Sequence, residues 1–540
     1  MTNKPTRAIL SLIIVAIAIV SASAAPPSVN GLFPPGLQLG TTKTLDVLGS
    51  SGSGTPRVWV SDKRVKMEPT KKGKLKVTVA KNATPGLVWF RLANSEGASE
   101  MRPIVLGSVA ESIEKEPTNA VSQAHSLVLP HVVSGKLGSG DVDGYRVALK
   151  KGETMVAEVT ANHLLAFEMD GVLQICNDEG IVLAQTDDTR GYDPMLIFSA
   201  PASGNYLVRV FAFPVKPNSS IAYAGGSNYI YRLTLTHRGY LDHAFPLAVS
   251  ALQKKVTLKL FGWNLPVNSK QFELAKSARS TVVFHTAASS FVELPVVACP
   301  TMVAAPDCSV SKPQKLAVPV VVSGRIGKHR EEHAFLLACK KNQRIHLQVE
   351  ARQIGYELDP YVRVFDSKKN RIALLDDTGG RRDIKASFVV KAAGTYRLQI
   401  RDAHQHGGFR FVYRMTLKPD TKDFDLELKT HILAVPVSGT ASVEVTVNRS
   451  GGYKQPIQID ALGLPPGITA KQVVSPAKGA TAKKVKLVFS AKGKPGSGGP
   501  IQIRGKSGSL ERVASFTVLS HRQRDFWVYS VAAKKKKKKK

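Results

Sequence analysis

Two aspartates flank a valine at Asp141-Val142-Asp143, in a turn that leads into an apolar run, and Glu114, Glu116 and Asn119 stand in the segment just ahead. Alternating carboxylates in such a turn can aim at one point, and clustered hard oxygens suit Ca2+, which takes about six to eight of them in flexible geometry. These five residues are the expected Ca2+ ligands. An Asx turn is the open alternative, with Asp141 and Asp143 accepting backbone N–H bonds and holding no ion. At extracellular affinities of ~0.1–1 mM, millimolar Ca2+ would add only about 0.4–1.4 kcal/mol, which modulates folding rather than enabling it.

A second pattern is His329-Arg330-Glu331-Glu332-His333, which satisfies H-x-x-E-H. That zinc-peptidase spacing works only on a helix, where both imidazoles share one face and the glutamate stands beside the metal. Here it lies between the strand-like runs "VPVVVSGRIG" and "AFLLAC", so a solvated charged turn is expected. His404 and His406 could add nitrogen ligands, but nothing in the sequence brings them near. No G-x-S-x-G elbow, H-E-x-x-H helix, phosphate-binding glycine loop or dinucleotide fingerprint occurs, and the chain is expected to be non-catalytic.

The elements that must position these groups are strands. A chain of 540 residues, 43% apolar and 21% charged, has material for about three or four folded units. Apolar alternation recurs between Gly/Pro/Asn/Asp clusters, and no long amphipathic helix interrupts it, which predicts an all-β fold. Self-comparison gives the organisation. Ser134-Gly135 returns as Ser323-Gly324, Asp170 as Asp359, and Asp187-Asp188-Thr189 as Asp376-Asp377-Thr378, all 189 residues on; Gly204-x-Tyr206 returns as Gly394-x-Tyr396 one residue later still. Two copies of one β module are predicted, at 111–237 and 312–419, with a small β segment at 238–311 between them. Other units open the chain at 26–110 and close it at 420–520, followed by a basic tail at 521–540.

The run "EKEPTNAVSQAHSLVLPHVVSGKLGSGDVDGYRVALKKGE", with "MDGVLQI", "LAQTDD" and "GNYLVRV" after it, resembles the bacterial pre-peptidase C-terminal domain, a jelly-roll-like β-sandwich similar to the collagen-binding domains of clostridial collagenases. The segment "LFPPGLQLGTTKTLDVLG" resembles a TIG-type immunoglobulin-like module, and "NRSGGYKQPIQIDALGLPPGI" resembles the Ig-like modules of secreted glycosidases. The resemblance covers most of 26–520, in the style of exported planctomycete proteins. It implies a multi-domain string of β-sandwich modules, and a Ca2+ site made by the acidic linker with the Gly-Asp-x-Asp turn. Where the family reads Glu-Pro-Asn-Asp, this chain inserts Thr118 and places Ala120 at the last carboxylate. In the second copy Glu331 and His333 replace the paired aspartates, so Ca2+ is not expected there.

Lys4 and Arg7, the uncharged run from Ala8 to Val20 and the small residues Ser21 to Ala24 read as a signal peptide at 1–24, too short for a membrane span. The chain is expected to be secreted, periplasmic or held at the cell surface. Four cysteines are too few for a disulfide framework; Cys299 and Cys308 are close enough to staple one loop, whereas Cys176 and Cys339 are expected as buried free thiols. The net charge of +34 favours anionic partners. It is unevenly spread: 111–236 hold 9 basic and 14 acidic residues, 311–418 hold 22 and 10, and 421–540 hold 23 and 7, with Lys534 to Lys540 at the end. That tail is expected to reach anionic membrane surfaces, or else merely to solubilise the end. Lys63, Arg64, Lys66, Lys71, Lys72, Lys74 and Lys76 form another cluster around "KLKVTV", read as a solvated sheet face or a polyanion-binding one. Aromatics are almost absent from the basic clusters, so nucleic acid is not expected. The reading is an exported, non-catalytic binding or scaffold protein for an extracellular or cell-envelope polymer, either acidic polysaccharide or, by resemblance, collagen-like protein. The alternative is an accessory subunit of a secreted peptidase or a cryptic hydrolase.

Overall fold

The computed structural model describes residues 25–71, 73–216, 222–266, 268–273, 280–519 and 521–533. The expected signal peptide and heptalysine lie outside these. Strand makes up 56% of the chain and helix 2%, in agreement with the all-β expectation. Among the described residues no helix is long and apolar enough to cross a membrane. The strands form because alternating side chains can bury one face against a second sheet. In Lys74–Val79, Leu75, Val77 and Val79 enter the core while Lys74 and Lys76 face solvent, the period of two that a half-buried strand requires.

Each copy of the internal repeat is a sandwich of two five-stranded sheets. In the first copy one sheet runs His125–Leu127, Asp143–Leu149, Gly204–Phe213, Asp170–Asn177, Val182–Thr186. The other runs Met195–Ser199, Thr154–Thr160, Ile230–Thr236, His131–Lys136, Glu111–Ile113. In the second copy the orders are Gln314–Leu316, His333–Cys339, Gly394–Asp402, Pro360–Phe365, Arg371–Leu375 and Ile384–Val389, Arg344–Glu350, Val412–Pro419, Val320–Arg325, Thr301–Val303. Strand for strand the two topologies are the same. Inward residues such as Tyr145, Leu173 and Val208 build one core, and Phe335, Val362 and Leu398 the other.

The recurring Ser-Gly has a steric cause. A Cβ on Gly135 would lie 2.1 Å from the Tyr231 ring, and one on Gly324 would lie 2.3 Å from that of Tyr413, so only glycine lets the buried ring cross the strand. A second shared device is a buried aspartate that ties a loop. Asp193 accepts from the backbone N–H groups of Ala161, Asn162 and His163, and Asp383 from those of Ala351, Arg352 and Gln353, all at 2.7–3.1 Å.

Two three-stranded sheets occupy the stretch between the copies, and the copies meet there. Asp242, fully buried, accepts from Arg190 of the first copy at 2.9 Å and from Arg410 of the second at 3.0 Å through Oδ1, while its Oδ2 pairs with His243 Nδ1 at 2.8 Å. Burial alone would raise the Asp242 pKa, but the His243 bond and the charges of Arg410 and Arg190 hold it well below the usual range. The opening and closing sandwiches also meet. Trp89 and Met101 of the opening sandwich join the closing sandwich's core beside Phe424 and Phe526, and His431 bridges Arg91 at 2.6 Å and Glu100 at 2.5 Å.

All four cysteines are buried and free. The staple considered for Cys299 and Cys308 is not formed, because the two sit in different clusters: Cys299 packs with Ala248 and Val321, and Cys308 with the second copy's core, its Sγ donating to Ala334 O at 3.0 Å.

Candidate functional site

In the first copy the segment after Glu111–Ile113 passes over the entry to strand Asp143–Leu149. The backbone there is fixed by Glu114 N donating to Ser134 O at 3.1 Å and Gly144 N donating to Thr118 O at 3.1 Å. These bonds bring carboxylate oxygens of Glu114, Glu116 and Asp143 within 4.8 Å of one another. Asp143 is buried; its Oδ1 accepts from Thr118 Oγ1 at 3.0 Å and its Oδ2 from the Tyr231 hydroxyl at 2.5 Å. Tyr231 reaches Glu114 Oε2 at 3.2 Å and is joined by Tyr145 at 2.5 Å. Glu114 Oε1 accepts from Lys136 N at 2.6 Å, and Glu116 Oε2 from Thr118 N at 2.9 Å.

The electrostatics follow from crowding out of water. Burial first, and then the neighbouring Asp143 charge, raise the Glu114 pKa; burial likewise raises that of Asp143, with Asp141 and Glu116 adding to the effect. Without a counter-charge the pair therefore retains a proton. An oxygen-only set with three carboxylates fits a hard divalent cation, which would relieve that repulsion.

Asn119 and Asp141 belong to the same corner with other partners. Asn119 Nδ2 donates to Asp141 Oδ1 at 2.6 Å, and Asp141 also accepts from Gly138 N at 2.9 Å and Val142 N at 3.0 Å. Asp141 thus closes the turn through N–H groups on either side of it, while Asp143 points inward. Tyr231 and Thr118 went unrecognised as corner residues in the sequence. The available signal was the match of Tyr231-Arg232-x-Thr234-Leu235 to Tyr413-Arg414-x-Thr416-Leu417.

The second copy keeps the frame and changes the groups. Glu331 takes the turn-closing place, accepting from Gly327 N at 2.7 Å and Lys328 N at 2.8 Å. His333 begins its strand and meets the Tyr413 hydroxyl at 2.8 Å and Glu331 at 3.2 Å. Ala304, whose N–H reaches Ser323 O at 2.8 Å, stands where the first copy has Glu114. His329 and Arg330 are in an exposed turn as expected, but His333 is buried, a correction to the solvated reading: the strand's inward period claims it. Glu332 turns away to Arg363 at 2.5 Å. No helix carries the H-x-x-E-H string. His404 and His406 lie beside Asp359 and Asp402, and oxygens of Asp359, Asp376 and Asp377 form a second group within 4.8 Å. Burial and the neighbouring Asp377 charge raise the Asp359 pKa, and Arg382 and Arg352 offset only part of that rise.

No protein-family model and no curated protein matches the chain. Solved structures similar to it include the pre-peptidase C-terminal domain of a Bacillus anthracis collagenase, at 15% identity over 19% of this chain and 93% of that one, TM-score 0.17. The N-terminal four Ig domains of Dscam1 isoform 4.4 align at 11% identity over 92% and 99%, TM-score 0.15. The fibronectin(III)-like modules of Clostridium thermocellum CbhA align at 12% over 36% and 87%, TM-score 0.13. By its own strands and sheets, the chain is a series of β-sandwich modules.

Proposed function

We propose that this protein is an exported, non-catalytic binding or scaffold protein whose β-sandwich modules attach to an extracellular or cell-envelope polymer, with Ca2+ held in the first repeat. One observation carries the binding reading: a single topology is present twice, once with a net charge of −5 over 111–236 and once with +12 over 311–418. Where the topology is shared and the net charge differs so widely, the surfaces are what has been specialised. Glu114, Glu116 and Asp143 would hold the cation, with Asn119 and Asp141 fastening the rim beside it. The ion would supply the positive charge that the buried pair lacks.

The test is a pull-down of the full chain with insoluble acidic and neutral polysaccharides and collagen fibrils across a salt series. Retention on at least one polymer is expected. A parallel hydrolase screen with added zinc is expected to show no turnover. Turnover that disappears in His329→Ala or Glu332→Gln would overturn the reading in favour of a hydrolase.

A further inference from the structure

The two copies differ along a line that crosses one sheet of each. In the second copy Lys315 pairs with Leu336, Leu336 with Arg397, Arg397 with Phe365, and Phe365 with Arg371, so these five residues form one row over all five strands. Directly paired residues share a sheet face, and the next residues along, such as Leu337, Leu398 and Val364, are buried, so the row faces outward as far as Phe365; Arg371 follows across a β-bulge and is exposed on the edge strand. Its cations occupy the first, third and fifth strands and are therefore about 10 Å apart. Lys315 and Arg371 are exposed and Arg397 half-buried, and none of the three has a carboxylate partner among the described residues. The equivalent row in the first copy reads Ser126, Arg146, Leu207, Cys176, Val182. Its one cation is already paired with Asp178 at 2.5 Å.

We infer that this row of Lys315, Arg397 and Arg371 is a docking line for a linear acidic polysaccharide lying across the strands. The inference rests on the polymer-binding reading and gives it a place and a charge class. Cations set in a line at even intervals match a rod with regularly repeated carboxylates or sulfates better than one phosphate group, which needs donors converging on a point. The nearby aromatic faces are not open to bases: Arg401 lies over Tyr361 at 4.4 Å and Arg363 over Phe365 at 5.8 Å, so the stacking that single-stranded nucleic acid requires is already taken.

The experiment titrates the full chain with polygalacturonate, with neutral dextran, duplex DNA and phosphatidylglycerol vesicles as further probes, at low and raised salt. Wild type is expected to bind polygalacturonate and to weaken as salt rises. Lys315→Ser, Arg371→Gln and Arg397→Gln together should weaken it about tenfold or more, while Lys63→Gln, Lys71→Gln and Lys76→Gln, an equal loss of charge in the opening sandwich, should change it little. If the triple variant is unstable, Arg371→Glu alone, on an exposed edge strand, should weaken binding in the same direction. Polygalacturonate binding that survives the triple variant, or falls equally in the control, overturns the docking line and leaves the polymer reading standing. Binding to neutral dextran alone, or DNA or vesicle binding that only the triple variant loses, overturns the acidic-polysaccharide assignment. Retention on no polymer in the pull-down removes the polymer reading itself.

Discussion

In the first repeat the phenol of Tyr231 faces Glu114 and Asp143; in the second the same phenol, now Tyr413, faces His333, and the Glu114 position is Ala304. The strands around both are alike, and so is the glycine under each ring. A sandwich is held by its inward alternation, so a polar corner at a strand entry can change sign without disturbing the sheets. The join between the copies teaches the same. Arg190 and Arg410 converge on Asp242, yet the first copy has Asn228 where the second has Arg410, and the second has Gly379 where the first has Arg190. Each copy acquired one arginine for a contact that only its own place in the chain permits.

The join is where the largest effect is expected. Asp242→Asn would remove the buried carboxylate that Arg410 and Arg190 share and leave them only Glu357 at 3.1 Å and Glu158 at 3.2 Å, a loss of up to about 3–5 kcal/mol. Calorimetry of the full chain should show the copies melting earlier and as separate transitions; one unshifted transition would mean that the arginines are held by their other acceptors. Next comes the shared glycine. Gly135→Ala and Gly324→Ala each force a methyl into a tyrosine ring and should each cost about 1–3 kcal/mol. Similar penalties would sharpen the equivalence of the copies, whereas a tolerated alanine in one would mean that its ring has room to shift.

What could be read from the chain follows this division. "KLKVTV" announced a strand because its alternation is local, and Ser-Gly recurred because a ring must lie against it. Tyr231 and Tyr413 were hidden among apolar neighbours, since a buried tyrosine looks like any core residue until its hydroxyl partner is known. Asp193 and Asp383 stand 190 residues apart, within reach of the self-comparison that found Gly204 and Gly394, but isolated aspartates carry no mark of the three N–H groups they bind. Asp242 was beyond reach: its partners come from three segments of the chain, and only tertiary packing brings them together. Glu116, by contrast, was among the residues named from the acidic segment ahead of the turn.

The two corners should respond to pH in opposite senses. Burial raises the folded pKa of Glu114 and Asp143, so the folded state keeps protons that the unfolded chain releases. Stability from that corner then falls as pH climbs out of the ordinary carboxylate range toward neutrality. Burial lowers the folded pKa of His333, so the unfolded chain binds a proton that the folded state refuses, and stability falls as pH drops below the ordinary imidazole value of about 6.5. Each slope is at most about 1.4 kcal/mol per pH unit per proton. Melting curves across this range should show a shallower neutral-side decline in Asp143→Asn and a shallower acid-side decline in His333→Gln, with buried Asp193 and His163 supplying part of each slope. Slopes unchanged by either substitution would place the titration elsewhere.

The smallest effect tests the ion. Because the first corner holds its proton in place of a cation, millimolar Ca2+ should compete with that proton and stabilise the full chain by about 0.4–1.4 kcal/mol relative to chelator, more at pH 8 than at pH 5. Glu116→Gln removes one carboxylate at the exposed side of the group and should abolish the difference without touching the bonds among Asp143, Thr118 and Tyr231. The second corner offers an imidazole and an alanine in the corresponding places, so His333→Asp by itself should not create a Ca2+ response, Ala304 still lacking the carboxylate that Glu114 supplies. A melting curve indifferent to Ca2+ at both pH values would leave the first corner as a proton-sharing structural knot, the acidic counterpart of the tyrosine–histidine contact in its sister.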